Sequence, residues 1–201
     1  MHWGEGRCAG YAACSITSLW TLDLQTGALW QPYAQARQPV FALDGRHVAY
    51  RSALAPLKDG TLAPQTWLQL TVEDGLHDTL WNITQPEAEA STYAWTPDSR
   101  FVMAAFEERS ALTGSPAPVR LLRMRVLDEL TFEYPPAMGV FAQLSIAPDG
   151  KQTALTTTQL RQGGYGVYLR WFETENNGLY QDAILFQSSD FVTLVGLNWL
   201  P

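Results

Sequence analysis

One short phrase recurs three times in this chain, and it decides the fold. It reads FALDGRHVAY at residues 41–50, AWTPDSRFVM at 94–103 and SIAPDGKQTA at 145–154. Each copy has an apolar segment, a turn that contains aspartate and a second segment. The turn residues Asp44, Asp98 and Asp149 stand 54 and 51 residues apart. A strand-rich unit of about fifty residues is typical of stacked or radial repeat proteins, because one unit cannot bury its own apolar face.

The composition indicates a folded chain and excludes several classes of partner. Of the 201 residues, 46% are hydrophobic, 12% aromatic and 16% charged, which is the reverse of the balance in disordered chains. The net charge is −7, and the lysines are Lys58 and Lys151 alone, so we predict no nucleic-acid partner. No apolar run approaches the roughly twenty residues that span a bilayer, so we predict no membrane span.

The first residues of the chain are relevant to its cellular localisation. Met1–Arg7 lacks the basic start and apolar stretch of a signal peptide. The sequence therefore fits either a cytoplasmic chain or a periplasmic or extracellular chain whose leader has been removed. The localisation stays open between these alternatives.

Each unit is predicted to form four antiparallel strands. In the best-defined unit these are residues 143–146, 152–156, 167–172 and 183–186, with a tight turn after the first strand. Asp-Gly and Asp-Ser pairs supply the left-handed or strained conformations that such hairpins need. We expect the turn aspartates to accept hydrogen bonds from nearby backbone amides, and not to bind calcium or take part in catalysis.

The repeat divides one domain into units that share this strand order. The units span about residues 1–37, 38–90, 91–140 and 141–190, and 191–201 begins a further or ring-closing blade. The first strand of that further blade is predicted at Leu194–Trp199. Pieces of one unit stand at the two ends of the chain, so the sequence encodes four blade equivalents.

Three of the repeated phrases resemble a known family. WTPDSR (95–100), APDGK (147–151) and LDLQTG (22–27) are similar to the WD-repeat-like β-propeller family of the Pro-Asp-Gly type, which includes the Tol-system periplasmic protein and the propellers of prolyl-oligopeptidase-like enzymes. The chain departs from the pattern where Leu43 replaces a proline and Ser99 a glycine, and where Asp128–Leu130 lacks a turn glycine. The resemblance implies an all-β fold, a β-propeller built of four-stranded antiparallel blades.

A propeller of this kind packs aromatic rings between its sheets. The tryptophans expected in this core are Trp20, Trp67, Trp95, Trp171 and Trp199. Propellers of the family usually have about six to eight blades, whereas four are encoded here. Three interpretations stay open: a piece of a longer propeller, a closed ring of four blades, and a homodimer that completes an eight-bladed ring.

No catalytic residue, metal site or cofactor is predicted. The chain has no Gly-x-Ser-x-Gly nucleophile elbow, and its three histidines and two cysteines lack metal-ligand spacing. The glycines at 163–166 are not followed by the Lys-Ser/Thr of a phosphate loop, so they are predicted to form a hairpin loop. We therefore predict that the chain is not an enzyme, and this prediction stays open for a longer chain of which it would be a part.

The candidate binding residues follow the second strands or lie in links between blades. They are Arg51, Arg109, Arg161, Tyr134 and Tyr165. The loops at residues 52–64, 110–118 and 162–166 are expected to rise on one face of the propeller, together with the link that contains Tyr134-Pro135-Pro136. There the arginines and aromatics would form a ring that faces a partner's acidic or peptide groups.

The function predicted from this pattern is a non-catalytic binding or scaffold module. It would engage a protein or peptide partner through the loop face. One alternative is an accessory propeller that controls substrate access in a larger hydrolase or peptidase. Another is a propeller that binds a small molecule or carbohydrate in its central channel.

Overall fold

The computed structural model describes most of the chain from residue 18 onward. The described residues are 18–22, 24–34, 36–53, 68–73, 79–83, 88–108, 118–161, 163–176, 179–192, 194 and 196–199. Every strand in these ranges belongs to an antiparallel sheet. Within them no helix is long and apolar enough to cross a bilayer.

Three sheets of four strands follow one another along the chain, after a sheet of two strands. The two-stranded sheet contains β1 (Ser18–Leu22) and β2 (Leu29–Ala34). Blade 1 contains β3 (Ala36–Phe41), β4 (Val48–Ala53), β5 (Leu68–Glu73) and β6 (Thr79–Ile83). Blade 2 contains β7 (Ala88–Trp95), β8 (Phe101–Glu108), β9 (Pro118–Arg125) and β10 (Thr131–Met138). Blade 3 contains β11 (Val140–Ile146), β12 (Gln152–Arg161), β13 (Gly164–Glu173) and β14 (Tyr180–Ser188).

The repeated phrase forms the tight turn between the first two strands of each blade. Oδ1 of Asp44, Asp98 and Asp149 accepts the backbone N–H of the residue two positions later, at 2.8, 3.1 and 2.9 Å. The residue after each aspartate has a φ of 69°, 60° or 73°, in the left-handed region. Ser99 takes this conformation without being glycine, and its hydroxyl accepts the N–H of Asp44 at 3.1 Å. The structural role predicted for these aspartates is confirmed.

The hydrophobic core lies between the blades. One cluster joins blades 1 and 2 and includes Leu70 and Phe106, and a second joins blades 2 and 3 and includes Met103 and Phe172. Blade 2 is therefore packed on both faces. In β9 alternate residues face opposite neighbours, so that Leu122 contributes to the first cluster while the residue before it contributes to the second.

The tryptophan prediction holds in part. Trp95 is 8% exposed, belongs to the first core cluster and donates its Nε1–H to the carbonyl of Val40 at 2.8 Å, so its core role is confirmed. Trp171 and Trp199 are half-buried and belong to neither cluster. Trp67 and the side chain of Trp20 lie outside the described part of the chain.

The strand predicted at Leu194–Trp199 does not form among the residues described there. A strand needs a neighbour for its backbone groups, and no described strand pairs with this segment. The contacts with blade 3 are made just before it, by residues 191 and 192. The hydroxyl of Thr158 donates to the carbonyl of Val192 at 3.1 Å, and the ring of Phe191 packs on two aromatic rings of blade 3. Closure of the ring, by this segment or by a second chain, stays a prediction.

Two predicted loops are parts of strands. Tyr134-Pro135-Pro136, expected as a link between blades, lies in β10. The prolines are tolerated because β10 is an edge strand and its register shifts between Tyr134 and Ala137, so no ladder hydrogen bond is needed from them. Of the loop expected at 162–166, residues 164–166 belong to β13, where Gly164 pairs with Arg161 of β12.

Candidate functional site

Each blade has two ends, which we call the turn edge and the loop edge. The turn edge carries the turns at Asp44, Asp98 and Asp149. The loop edge is the opposite end, where the first and third strands begin and the second and fourth strands end. The predicted binding face corresponds to the loop edge.

Two of the five candidate residues meet at the loop edge of blade 3. Arg161 and Tyr165 line one depression of about 260 Å³. Nη2 of Arg161 donates to Oε1 of Gln159 at 3.0 Å, and its guanidinium lies 5.1 Å from the centroid of the Tyr168 ring. Both contacts are to neutral groups, so the charge of this exposed guanidinium remains available to an anionic group of a partner.

The other two arginines are not brought together with Arg161. Arg51 follows its turn aspartate by 7 residues, whereas Arg161 follows its own by 12. The difference between these two spacings corresponds to about 16 Å along a strand. Arg51 therefore lies inside β4, where its Nη1 donates to Oε1 of Gln38 at 2.9 Å. Arg109 lies outside the described residues. The described arginines do not form one ring.

Tyr134 is buried within the interface between blades 2 and 3 and is not on the loop edge. It is 4% exposed, its hydroxyl donates to the carbonyl of Thr174, and its ring centroid lies 4.7 Å from that of Phe172. Burial raises the pKa of Tyr134 to about 12, against the opposing effect of Arg123. The side chain thus contributes to packing between blades.

The pKa of Tyr134 predicts a loss of stability in alkali. Because the pKa is near 10.0 in the unfolded chain and about 12 in the folded one, its stabilising contribution is complete below pH 10 and declines as the pH rises toward 12. Urea unfolding at several pH values in this window should show a smaller alkaline loss for Tyr134→Phe than for the unaltered chain. Equal losses would contradict the buried position of this hydroxyl.

A bulge at the start of β11 turns an aromatic ring outward. The register of β11 shifts between Val140 and Gln143, and Phe141 has a φ of 54°, which is rare for a bulky residue. The carboxylate of Glu107, in blade 2, accepts the N–H groups of Phe141 and Ala142 at 2.9 and 2.6 Å. These charge-assisted bonds hold the bulge, and the Phe141 ring is 43% exposed.

Three aromatic rings come together beside this bulge, and we call them the aromatic patch: Phe141, Tyr165 and Phe191. The Phe191 ring lies edge-on to the other two, with centroid distances of 5.4 Å to Phe141 and 5.2 Å to Tyr165. Phe191 is 52% exposed. Sequence reasoning missed Phe141 and Phe191, although a signal exists, because they stand 50 residues apart and so repeat with the period of the blades.

A larger cleft lies at the turn edge, on the side opposite the predicted binding face. It has a volume of about 830 Å³ and separates blades 2 and 3. Its walls include Phe101, the buried Arg123 and the rim residue Lys151. Sequence reasoning did not identify this cleft. Among the described residues no group of three or more His, Cys, Asp or Glu side chains is arranged to hold a metal ion.

Comparisons with known proteins identify the architecture. The structure is similar to that of TolB from Acinetobacter baumannii, with a TM-score of 0.54 and 13% identity over 84% of this chain and 37% of TolB. It is also similar to acylaminoacyl peptidase from Pyrococcus horikoshii, with a TM-score of 0.51 and 15% identity over 87% of this chain and 28% of the peptidase. No family model and no curated protein matches the sequence.

The chain spans about a third of the length of these two proteins. At such low identity the similarity bears on the fold and leaves function open. The structure has blades of four antiparallel strands with hydrophobic cores between them. This arrangement agrees with the similarity to the two known structures. The chain therefore has the all-β architecture of a β-propeller.

Proposed function

We propose that this chain is a binding module that engages a peptide segment of a protein partner at the loop edge of blade 3. The observation that carries the proposal is the aromatic patch, with Arg161 beside it. Phe141 and Phe191 are 43% and 52% exposed although they touch each other. Contiguous exposed aromatics are the kind of surface that soluble proteins keep for interaction sites.

The residue types in this region suit recognition of a peptide. Aromatic residues and arginine contribute most of the binding energy at protein interfaces. Tyr165 and Arg161 line the same depression, so an apolar anchor and a cation lie within one short segment of surface. The partner that fits is a peptide with an apolar side chain for the aromatic patch and a carboxylate for Arg161.

The aromatic patch is also held in place before a partner binds. Glu107 fixes the bulge that carries Phe141, and the strand ladder fixes Tyr165 opposite Leu160 and Ser188. A surface that is already ordered loses less conformational entropy on association. This arrangement favours specific binding over a role as a passive spacer.

The test is selection of peptides from a displayed library of random 12-residue sequences against the purified chain. We expect enriched peptides that combine aromatic or aliphatic residues with Asp or Glu. Affinity for an enriched peptide should fall at least about tenfold with Phe191→Ser and with Arg161→Gln, because each removes one half of the recognition surface.

Leu127→Ser provides the matched control. Leu127 is 91% exposed and follows β9 at the turn edge, so the same loss of exposed apolar surface occurs far from the aromatic patch. Its affinity for the selected peptide should equal that of the unaltered chain. If the selected peptides bind equally well to all three variants, the loop edge of blade 3 is not the binding surface.

A further inference from the structure

Arg123 breaks the pattern of the repeat at one position. In β9 it pairs with Met103, and the corresponding residues of the other blades are Val72, which pairs with Ala49, and Trp171, which pairs with Ala154. The other blades thus have an apolar side chain where blade 2 has a charged one. Breaks in an otherwise consistent local pattern are expected at functional or strained positions.

The guanidinium of Arg123 is buried and only partly satisfied. The residue is 7% exposed, and Nη1 donates to the carbonyl of Thr174 in blade 3 at 2.6 Å. The guanidinium lies between two rings, 4.8 Å from the centroid of Phe101 and 4.7 Å from that of Phe132. Its Nε–H is buried and has no hydrogen-bond acceptor among the described residues.

Three other arginines of blades 2 and 3 have carboxylate partners. In each pair the arginine donates from Nε and Nη2 to the two oxygens of one carboxylate. The pairs are Arg120–Glu133, Arg125–Asp128 and Arg170–Asp182. No carboxylate of the described residues lies within ion-pair distance of Arg123. A buried cation is costly unless an anion pairs with it, and a carbonyl and two ring faces offset this cost only in part. An incoming carboxylate would supply the missing partner.

The cleft beside Arg123 has room for a carboxylate, and the charges on its rim determine which other groups of the ligand are favoured. A volume of about 830 Å³ lies within the range of small-molecule and short-peptide sites. Lys151 adds a second cation, whereas Asp98, Asp149, Glu173 and Glu175 add carboxylates to the rim. Because the rim has more anions than cations, it disfavours a ligand that is only negative and favours one with a positive group nearby.

We propose that the cleft between blades 2 and 3 binds the carboxylate of a ligand that also carries a positive charge, such as the C-terminal end of a peptide whose last residue is lysine. The carboxylate pairs with Arg123, and the ammonium group lies toward the acidic rim. This site is at the turn edge and is separate from the aromatic patch. An experiment can therefore contradict this proposal without contradicting peptide binding at the loop edge, and the reverse also holds.

The test compares two forms of one probe, N-acetyl-Ala-Ala-Lys with a free C-terminal carboxylate and the same peptide as its amide. Binding to the whole chain is measured by calorimetry at low salt. We expect the acid form to bind at least about tenfold more tightly than the amide, since the amide cannot pair with the guanidinium. A third probe, N-acetyl-Ala-Ala-Glu, should bind more weakly than the lysine peptide because the rim is acidic.

Arg123→Met is the decisive variant, because methionine is close in length and resembles the apolar residues of the other blades. It should remain folded, since replacing a buried charge by an apolar side chain is often neutral or stabilising. The preference for the acid over the amide should disappear in this variant and persist in Phe191→Ser. Equal binding of acid and amide by the unaltered chain would overturn the proposal, whether or not Arg123→Met folds.

Discussion

Replacing Trp95 with alanine is expected to lower the free energy of unfolding by about 3–5 kcal/mol. The ring is 8% exposed and packs in the core between blades 1 and 2. Its removal leaves a cavity that sheets fixed by their ladders cannot close, and it also leaves the carbonyl of Val40 without the indole N–H that lies 2.8 Å away. Urea unfolding followed by circular dichroism measures the difference.

Trp95→Phe separates these two contributions. Phenylalanine retains most of the buried ring but cannot donate to Val40, so we expect a loss of about 1–2 kcal/mol. Leu24→Ala serves as a surface control because Leu24 is 89% exposed, and its effect should lie within about 0.5 kcal/mol. An alanine variant at position 95 that unfolds at the same urea concentration as the unaltered chain would show that the blades do not pack through this ring.

The repeated phrase was sufficient to predict the blade. It fixes the turn residues, and with them the order and direction of the strands that follow, because an aspartate that caps a tight turn leaves few alternatives for the backbone. The strands around Asp98 and Asp149 accordingly form where they were expected. The departure at Ser99 is also accommodated, since its hydroxyl accepts a hydrogen bond from Asp44 of the preceding blade.

The candidate site was predicted less well, for physical reasons that the sequence does not display. Arg51 and Arg161 were both expected just after a second strand, but Arg51 lies inside β4 and Arg161 ends β12. They stand 7 and 12 residues after their turn aspartates, which places them at different heights. The outward position of Phe141 depends on a bulge held by Glu107, 34 residues away. Such long-range contacts arise only once neighbouring blades are packed. Tyr134 was misplaced because two adjacent prolines resemble a loop, although an edge strand accepts them.

Gly164→Ala is expected to destabilise the chain by about 3–5 kcal/mol. Gly164 begins β13 with a φ of 139°, a conformation that residues with a Cβ rarely adopt. An added Cβ would lie 2.0 Å from the carbonyl oxygen of Ser188 and 2.9 Å from the Cα of Ser189. These are backbone atoms at the end of β14, so the clash is relieved only by separating β13 from β14.

The neighbouring glycine is a matched control for this prediction. Gly163 also has a positive φ, of 98°, but a Cβ there would meet no atom within 4 Å. Gly163→Ala therefore adds backbone strain without a collision, and we expect it to cost about 1–2 kcal/mol. Equal melting temperatures of the two variants would show that strain alone, and not the close approach of β14, requires glycine here. Because Arg161 and Tyr165 flank these glycines, Gly164→Ala should also weaken peptide binding at the loop edge, whereas binding of the lysine peptide at the turn edge should persist in the folded fraction.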